Sequence, residues 1–124
     1  MANGKKCWYV PDGWIPVRQK GENDKLEGHE ALIVLNCNKK DAKISVNFYF
    51  EDKDPIENVE LVIPAKRVKC FRMDHPEEIG GVNLGRLNQY SLRVKSKLPV
   101  VVQFGRMDVT QDNCAYIGVM GYSE

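Results

Sequence analysis

A histidine and a glutamate sit side by side at His29-Glu30, at the head of an apolar run. An imidazole next to a carboxyl can bind a ligand or share acid–base work, and it can equally be a hydrogen-bonded pair at a strand end. Near the C-terminus Gln103, Arg106 and Asp108 bring a carboxamide, a guanidinium fork and a carboxylate within six residues. An arginine fork takes a carboxylate, a phosphate or a vicinal diol, and a carboxamide offers both donor and acceptor. Arg106 and Asp108 can also simply pair with each other. Trp14 stands between Pro11 and Pro16 with Trp8 and Tyr9 close by, which suits an aromatic wall for a flat ligand or a loop pinned to a core. Arg67, between Lys66 and Lys69, can grip an anion or belong to a solvated strand face. His75 lies among Asp74, Glu77 and Glu78, a group that could hold a surface magnesium or calcium. There is no Ser–His–Asp order, no phosphate-cradling glycine loop and no HExxH. No cofactor or resident metal is expected.

The elements that must position these groups read as strands. His29–Asn36 is apolar on both faces. Ala42–Phe50 alternates, with Ala42, Ile44, Val46, Phe48 and Phe50 inward and Lys43, Ser45 and Asn47 toward water. Val59, Leu61 and Ile63 give the next strand its inner face, and Pro64-Ala65 ends it. Lys66–Met73 resumes, with a bulge expected near Cys70. Gln89–Ser96 alternates again. Pro99 then opens a strand through three valines to Asp108, expected to be central and covered on both sides. Cys7–Val10 is a short first strand followed by a turn at Pro11–Pro16. The loop onward to Gly28 is expected to be solvated over Gln19–Glu27. Asp74–Leu87 is a connection with one helical turn around Pro76–Ile79, and Ala115–Tyr122 is a last apolar strand. About eight short strands and no convincing helix predict an all-β chain, an antiparallel β-sandwich or jelly roll in one domain over residues 1–124.

Composition narrows the function. The 18 basic and 17 acidic residues of this 124-residue chain nearly cancel, and no basic block stands out, which argues against a dedicated nucleic-acid binder. No apolar run approaches the roughly 20 residues of a membrane span, and no signal-peptide core follows the N-terminus, so a cytoplasmic location is expected. Cys7, Cys37, Cys70 and Cys114 have no CxxC spacing and are expected to be free thiols. The surplus of strands apolar on both faces suggests that one face meets another subunit.

Spread across the chain, Cys7-Trp8, Gly13-Trp14-Ile15-Pro16, His29-Glu30, Ile33 to Leu35-Asn36 and Asp41-Ala42 form a recognisable series. It continues with Tyr49, Asp52, Pro55, Ile63-Pro64-Ala65 and Arg67, then Pro99 to Gln103, Arg106, Asp108, Gln111 and Tyr122. The series resembles the sensory rhodopsin transducer family, small soluble proteins that associate with a microbial sensory rhodopsin. Residues Asp74 to Gln89 match poorly. The resemblance implies a jelly-roll subunit of a cytoplasmic homotetramer with a non-enzymatic signalling role, and kinship with sandwich domains that bind carbohydrates or other small ligands. The family's polar positions fall here on His29, Glu30, Arg67, Gln103, Arg106 and Asp108, with Trp14 beside them. They are expected to converge on one rim pocket for a sugar-like or anionic ligand. The alternatives are a true transducer docking on a membrane photoreceptor, and an enzyme on a sugar-like ligand with Glu30 and Asp108 as its carboxylate pair.

Overall fold

The computed structural model describes residues 3–21 and 26–124, and its architecture is an antiparallel β-sandwich. In chain order the strands are β1 (Lys5–Trp14), β2 (His29–Asn36), β3 (Ala42–Phe50), β4 (Ile56–Ile63), β5 (Arg67–Arg72), β6 (Gln89–Asp108), β7 (Ala115–Met120) and β8 (Tyr122–Ser123). A single 3-10 turn, Pro76–Glu78, interrupts the connection before β6. One sheet runs β4-β3-β6-β1-β8 and the other β5-β2-β6-β7. β6 belongs to both.

The bounds expected for β2 and β3 hold to the residue, because a run with strong alternation or β-branched apolar residues leaves little choice. Elsewhere the structure corrects the sequence reading. Gln89–Ser96 and Pro99–Asp108 are one strand of 20 residues, not two. Its first half pairs with β1 and β3, its second with β2 and β7. Pro99 sits where the strand passes from one sheet to the other, so its missing N–H leaves no ladder bond unmade. The expected turn at Pro11–Pro16 is strand through Trp14, with a register shift between Val10 and Gly13 that absorbs Pro11. The bulge expected near Cys70 is absent: β5 pairs with β2 without interruption from Arg67 to Arg72, and simple alternation turns Phe71 inward and Cys70 outward. The bulge lies instead in the β3–β4 ladder between Val46 and Phe48. Asn47, expected in water, is buried there; its Oδ1 accepts from the Asn58 N–H at 2.8 Å. The expected last strand breaks at Gly121, where the backbone passes close under the Trp8 ring.

Even-numbered residues of β6 point inward along its whole length: Tyr90, Leu92 and Val94 in one sheet, Val100, Val102 and Phe104 in the other. With Leu32, Val34, Ile44, Val46, Phe48 and Ile63 they form the core. The opposite face of the second half is less covered than expected. Val101 is half-buried, Gln103 is exposed, and β7 is exposed nearly throughout. All four cysteines are free, and Cys37, Cys70 and Cys114 are exposed.

Part of the solvated reading of Gln19–Glu27 falls on residues 22–25, outside the described residues; Gln19 and Lys20 are exposed. The two stems of that loop are latched. Arg86 Nη1 donates to the carbonyls of Pro16 and Gly28, each at 2.8 Å. Arg86 Nη2 reaches Asp74 Oδ2 at 3.1 Å, and Arg72 grips both oxygens of the same carboxylate at 2.7 and 2.8 Å. Burial alone would raise the Asp74 carboxyl, but the hydrogen bonds and charge of Arg72 outweigh it and hold the group below its ordinary value. A carboxylate depressed in the folded state stabilises the fold above its unfolded pKa and loses that contribution as pH falls through the folded value. Asp74→Asn is expected to cost on the order of 2 kcal/mol at neutral pH. It should also flatten the loss of stability below pH 3.8, as read by urea denaturation across pH.

Candidate functional site

The site centres on Glu30, a carboxylate with no solvent exposure near the start of β2. The ladder sets Glu30 directly opposite Arg106 on β6. Arg106 Nε donates to Glu30 Oε2 at 2.7 Å. Glu30 Oε1 accepts twice, from the Tyr90 hydroxyl at 2.7 Å and from the Trp14 backbone N–H at 2.8 Å. Tyr90 reaches the carboxylate because Gly13 lies under its ring: a Cβ there would meet ring carbons at 2.5 Å. Burial pushes the Glu30 carboxyl above its ordinary value, and the Tyr90, Arg106 and Trp14 donors pull against that shift without cancelling it. The Tyr90 hydroxyl is pushed up by burial and by the carboxylate it faces.

Arg106 reaches water, with about a quarter of its side chain exposed. Its guanidinium carbon lies 5.9 Å from the Trp14 ring centroid, and its Nη2 is 3.5 Å from Asp12 Oδ1. A cleft of about 160 Å³ opens beside it, lined by Asp12, Glu30, Phe104, Arg106, Ile117 and Val119.

Of the residues singled out in the sequence, the structure therefore brings together Trp14, Glu30 and Arg106. The others lie elsewhere. His29 and Gln103 are on the opposite face of the sheet, in the rows His29–Met107–Tyr116 and Ile33–Gln103–Met120. His29 Nδ1 is 2.8 Å from the Glu27 carbonyl. Asp108 does not pair with Arg106; its Oδ1 accepts from the Thr110 N–H and hydroxyl at 2.8 and 2.7 Å, and these bonds hold its carboxyl low. Arg67 is exposed, donates to the Lys66 carbonyl and pairs with Asn36 at the far end of β2. That end is about 20 Å from Glu30 at the usual strand rise. Asp12 and Tyr90 were missed. Tyr90 carried a signal, since an inward tyrosine among aliphatic residues needs a partner for its hydroxyl. The His75 group does gather ligand atoms, those of Glu27, Asp74 and His75 lying within 4.8 Å of one another, but two guanidinium groups already hold Asp74.

The family model described as the Anabaena sensory rhodopsin transducer matches residues 3–123. The chain belongs to that family. Its fold is similar to the crystal structure of Thermotoga maritima 1070, with 32% identity, a TM-score of 0.84 and coverage of 98% of this chain and 97% of that one. It is also similar to the solved Anabaena sensory rhodopsin transducer, with 28% identity, a TM-score of 0.73 and coverage of 87% and 92%. No curated protein matches the sequence. Among the described residues no helix is long and apolar enough to cross a membrane.

For this member of the transducer family, the Glu30 network sets a sharp expectation. Arg106→Ala leaves a buried carboxylate facing only neutral donors and should cost about 3 kcal/mol at neutral pH. The deficit should shrink as pH falls, because a protonated Glu30 no longer needs the guanidinium. Chemical denaturation of the variant at several pH values checks this, and a loss below about 1 kcal/mol would make Arg106 an ordinary surface pair.

Proposed function

We propose that this chain is a non-enzymatic interaction module of cytoplasmic signalling, working as one subunit of a closed homotetramer. The observation that carries the reading is the outer face of the β5-β2-β6-β7 sheet. Val68 pairs with Leu35 and Leu35 with Val101; Cys70, Ile33, Gln103 and Met120 form the next row. Val68, Leu35, Tyr116 and Met120 are 58%, 41%, 54% and 57% exposed. A sheet face with this many exposed apolar side chains, interrupted by Gln103, marks an association surface. A second subunit would cover it and shield β7, an edge strand that carries no charged side chain.

The partner that the family name points to is a membrane photoreceptor, met by the assembled protein rather than by a lone subunit. A second reading is a small polar ligand, sugar-like or anionic, at the rim cleft. It is favoured by the exposed part of the Arg106 guanidinium lying over Trp14. An enzyme using Glu30 and Asp108 as a carboxylate pair has less support, because Glu30 already accepts three hydrogen bonds and Asp108 is committed to Thr110.

Light scattering should give about four times the 14.1 kDa subunit mass. The double change Leu35→Glu with Met120→Glu should yield a smaller, folded species. A monomeric parent protein at micromolar concentration would remove the reading. For the rim cleft, a thermal-shift screen of sugars and organic acids should show stabilisation, about 2.7 kcal/mol at a hundredfold excess over the dissociation constant. Silence across the screen would leave Arg106 a structural group alone.

A further inference from the structure

A second cleft, of about 650 Å³, lies on the other side of the molecule and has no share in the rim network. Its origin is the sheet-to-sheet passage of β6. The β3–β6 ladder ends at the pair Ile44–Ser96, after which β6 leaves for the other sheet while β3 extends back through Lys43 to Ala42. The two strands part and an opening forms between them.

Ile44, Ser96 and Leu98 line the opening, and Lys40, Lys43, Lys95 and Lys97 surround it. All four lysines are exposed, and none pairs with a carboxylate among the described residues. The nearby carboxylates are Asp41, which accepts from the Ala65 N–H at 2.9 Å, and Glu60. Four cations against two anions leave the cleft positive in a chain whose overall charge is +1. Ser96 Oγ is buried and has no hydrogen-bond partner among the described residues. A buried hydroxyl left unpaired is costly, and this one lies beneath the opening, out of contact with solvent.

We infer that this cleft binds a small molecule carrying an oligophosphate group. Ammonium groups are compact point charges that take phosphoryl oxygens from any direction, whereas a planar carboxylate is better matched by an arginine fork. Lys95 and Lys97 point the same way two residues apart on β6, about 6.6 Å along the strand, and Lys43 faces them across the opening. That spread suits two or three linked phosphoryl groups better than one. Leu98, half-buried, offers an apolar seat to the rest of the ligand, with the buried Ile44 packed beneath the opening.

The test uses inorganic tripolyphosphate, titrated calorimetrically into the full chain, with amide spectra recorded in parallel. Saturable binding is expected at low salt, weakening as salt rises. The amides of Ile44, Ser96 and Leu98 should shift. Lys43→Gln with Lys95→Gln should raise the dissociation constant on the order of tenfold or more with the fold unchanged. Absence of saturable binding at low salt, affinity unchanged in the double variant, or shifts confined to Asp12 and Arg106 at the rim would each overturn the assignment. A clear preference for a single-stranded oligonucleotide over tripolyphosphate would overturn it as well, in favour of a nucleic-acid surface.

Discussion

One strand has to be a member of two sheets. β6 has a neighbour on each side in its first half and a different neighbour on each side in its second, so most of the other strands are placed by pairing with it. The passage between sheets at Lys97–Pro99 is secured by side chains instead of ladder bonds. Asn38 Nδ2 donates to the Pro99 carbonyl at 2.8 Å, and Trp8 Nε1 reaches the Val100 carbonyl at 3.0 Å. Because inward parity is kept across the passage, one periodic run of apolar residues serves both layers of the core. The same geometry makes both clefts. The rim cleft lies where β6 ends beside β7, and the lysine-lined cleft lies where β6 abandons β3.

Burying Glu30 is expensive, and three donors offset the cost only in the native register. If β2 slipped one residue against β6, the carboxylate would leave Arg106 and Tyr90 and turn to the other face of the sheet. A buried, unpaired charge is among the costliest errors a fold can make, so the network disfavours misregistered states more than it stabilises the correct one. The far end of β2 repeats the device with a neutral side chain. Asn36, fully buried, donates to the carbonyls of Lys40, Ile63 and Pro64 and accepts from Asn38. Ile63 belongs to the opposite sheet, so Asn36 ties the layers together at one end while the Tyr90–Glu30 bond ties them at the other.

How much of this the sequence displayed depended on whether local pattern or long-range pairing decided the outcome. Ala42–Phe50 and His29–Asn36 were legible because their side chains report their own burial. The continuity of β6 was not, since a proline that normally opens a strand here sits at a crossing whose existence depends on β1, β2, β3 and β7 together. The turn expected at Pro11 failed for the same reason: a bulge, and not a chain reversal, accommodates the proline. For the candidate site, alternation already held part of the answer. Residues an odd number of positions apart in a strand point to opposite faces, so His29 had to part from Glu30, and Gln103 from Arg106. What alternation could not show is that Tyr90, 60 residues from Glu30, would supply the missing hydroxyl.

The two outer faces of the sandwich differ in kind. Beyond β2 and β7 the surface is apolar, with Val68, Leu35, Tyr116 and Met120 in water. On the other sheet the outward rows run Glu60–Ser45–Lys95–Cys7 and Asn47–Arg93–Tyr9–Tyr122, polar and on balance basic. A subunit that assembles through the first face keeps the second on the outside of the assembly, each copy presenting its own lysines. Charge near zero over the whole chain then conceals an uneven distribution between the sheets. The dense hydrogen-bonded network around Glu30 sits at the edge of the apolar sheet, where it fixes the register of β2 against β6. The ammonium groups of Lys40, Lys43, Lys95 and Lys97, unpaired among the described residues, sit at the edge of the other and leave it positive.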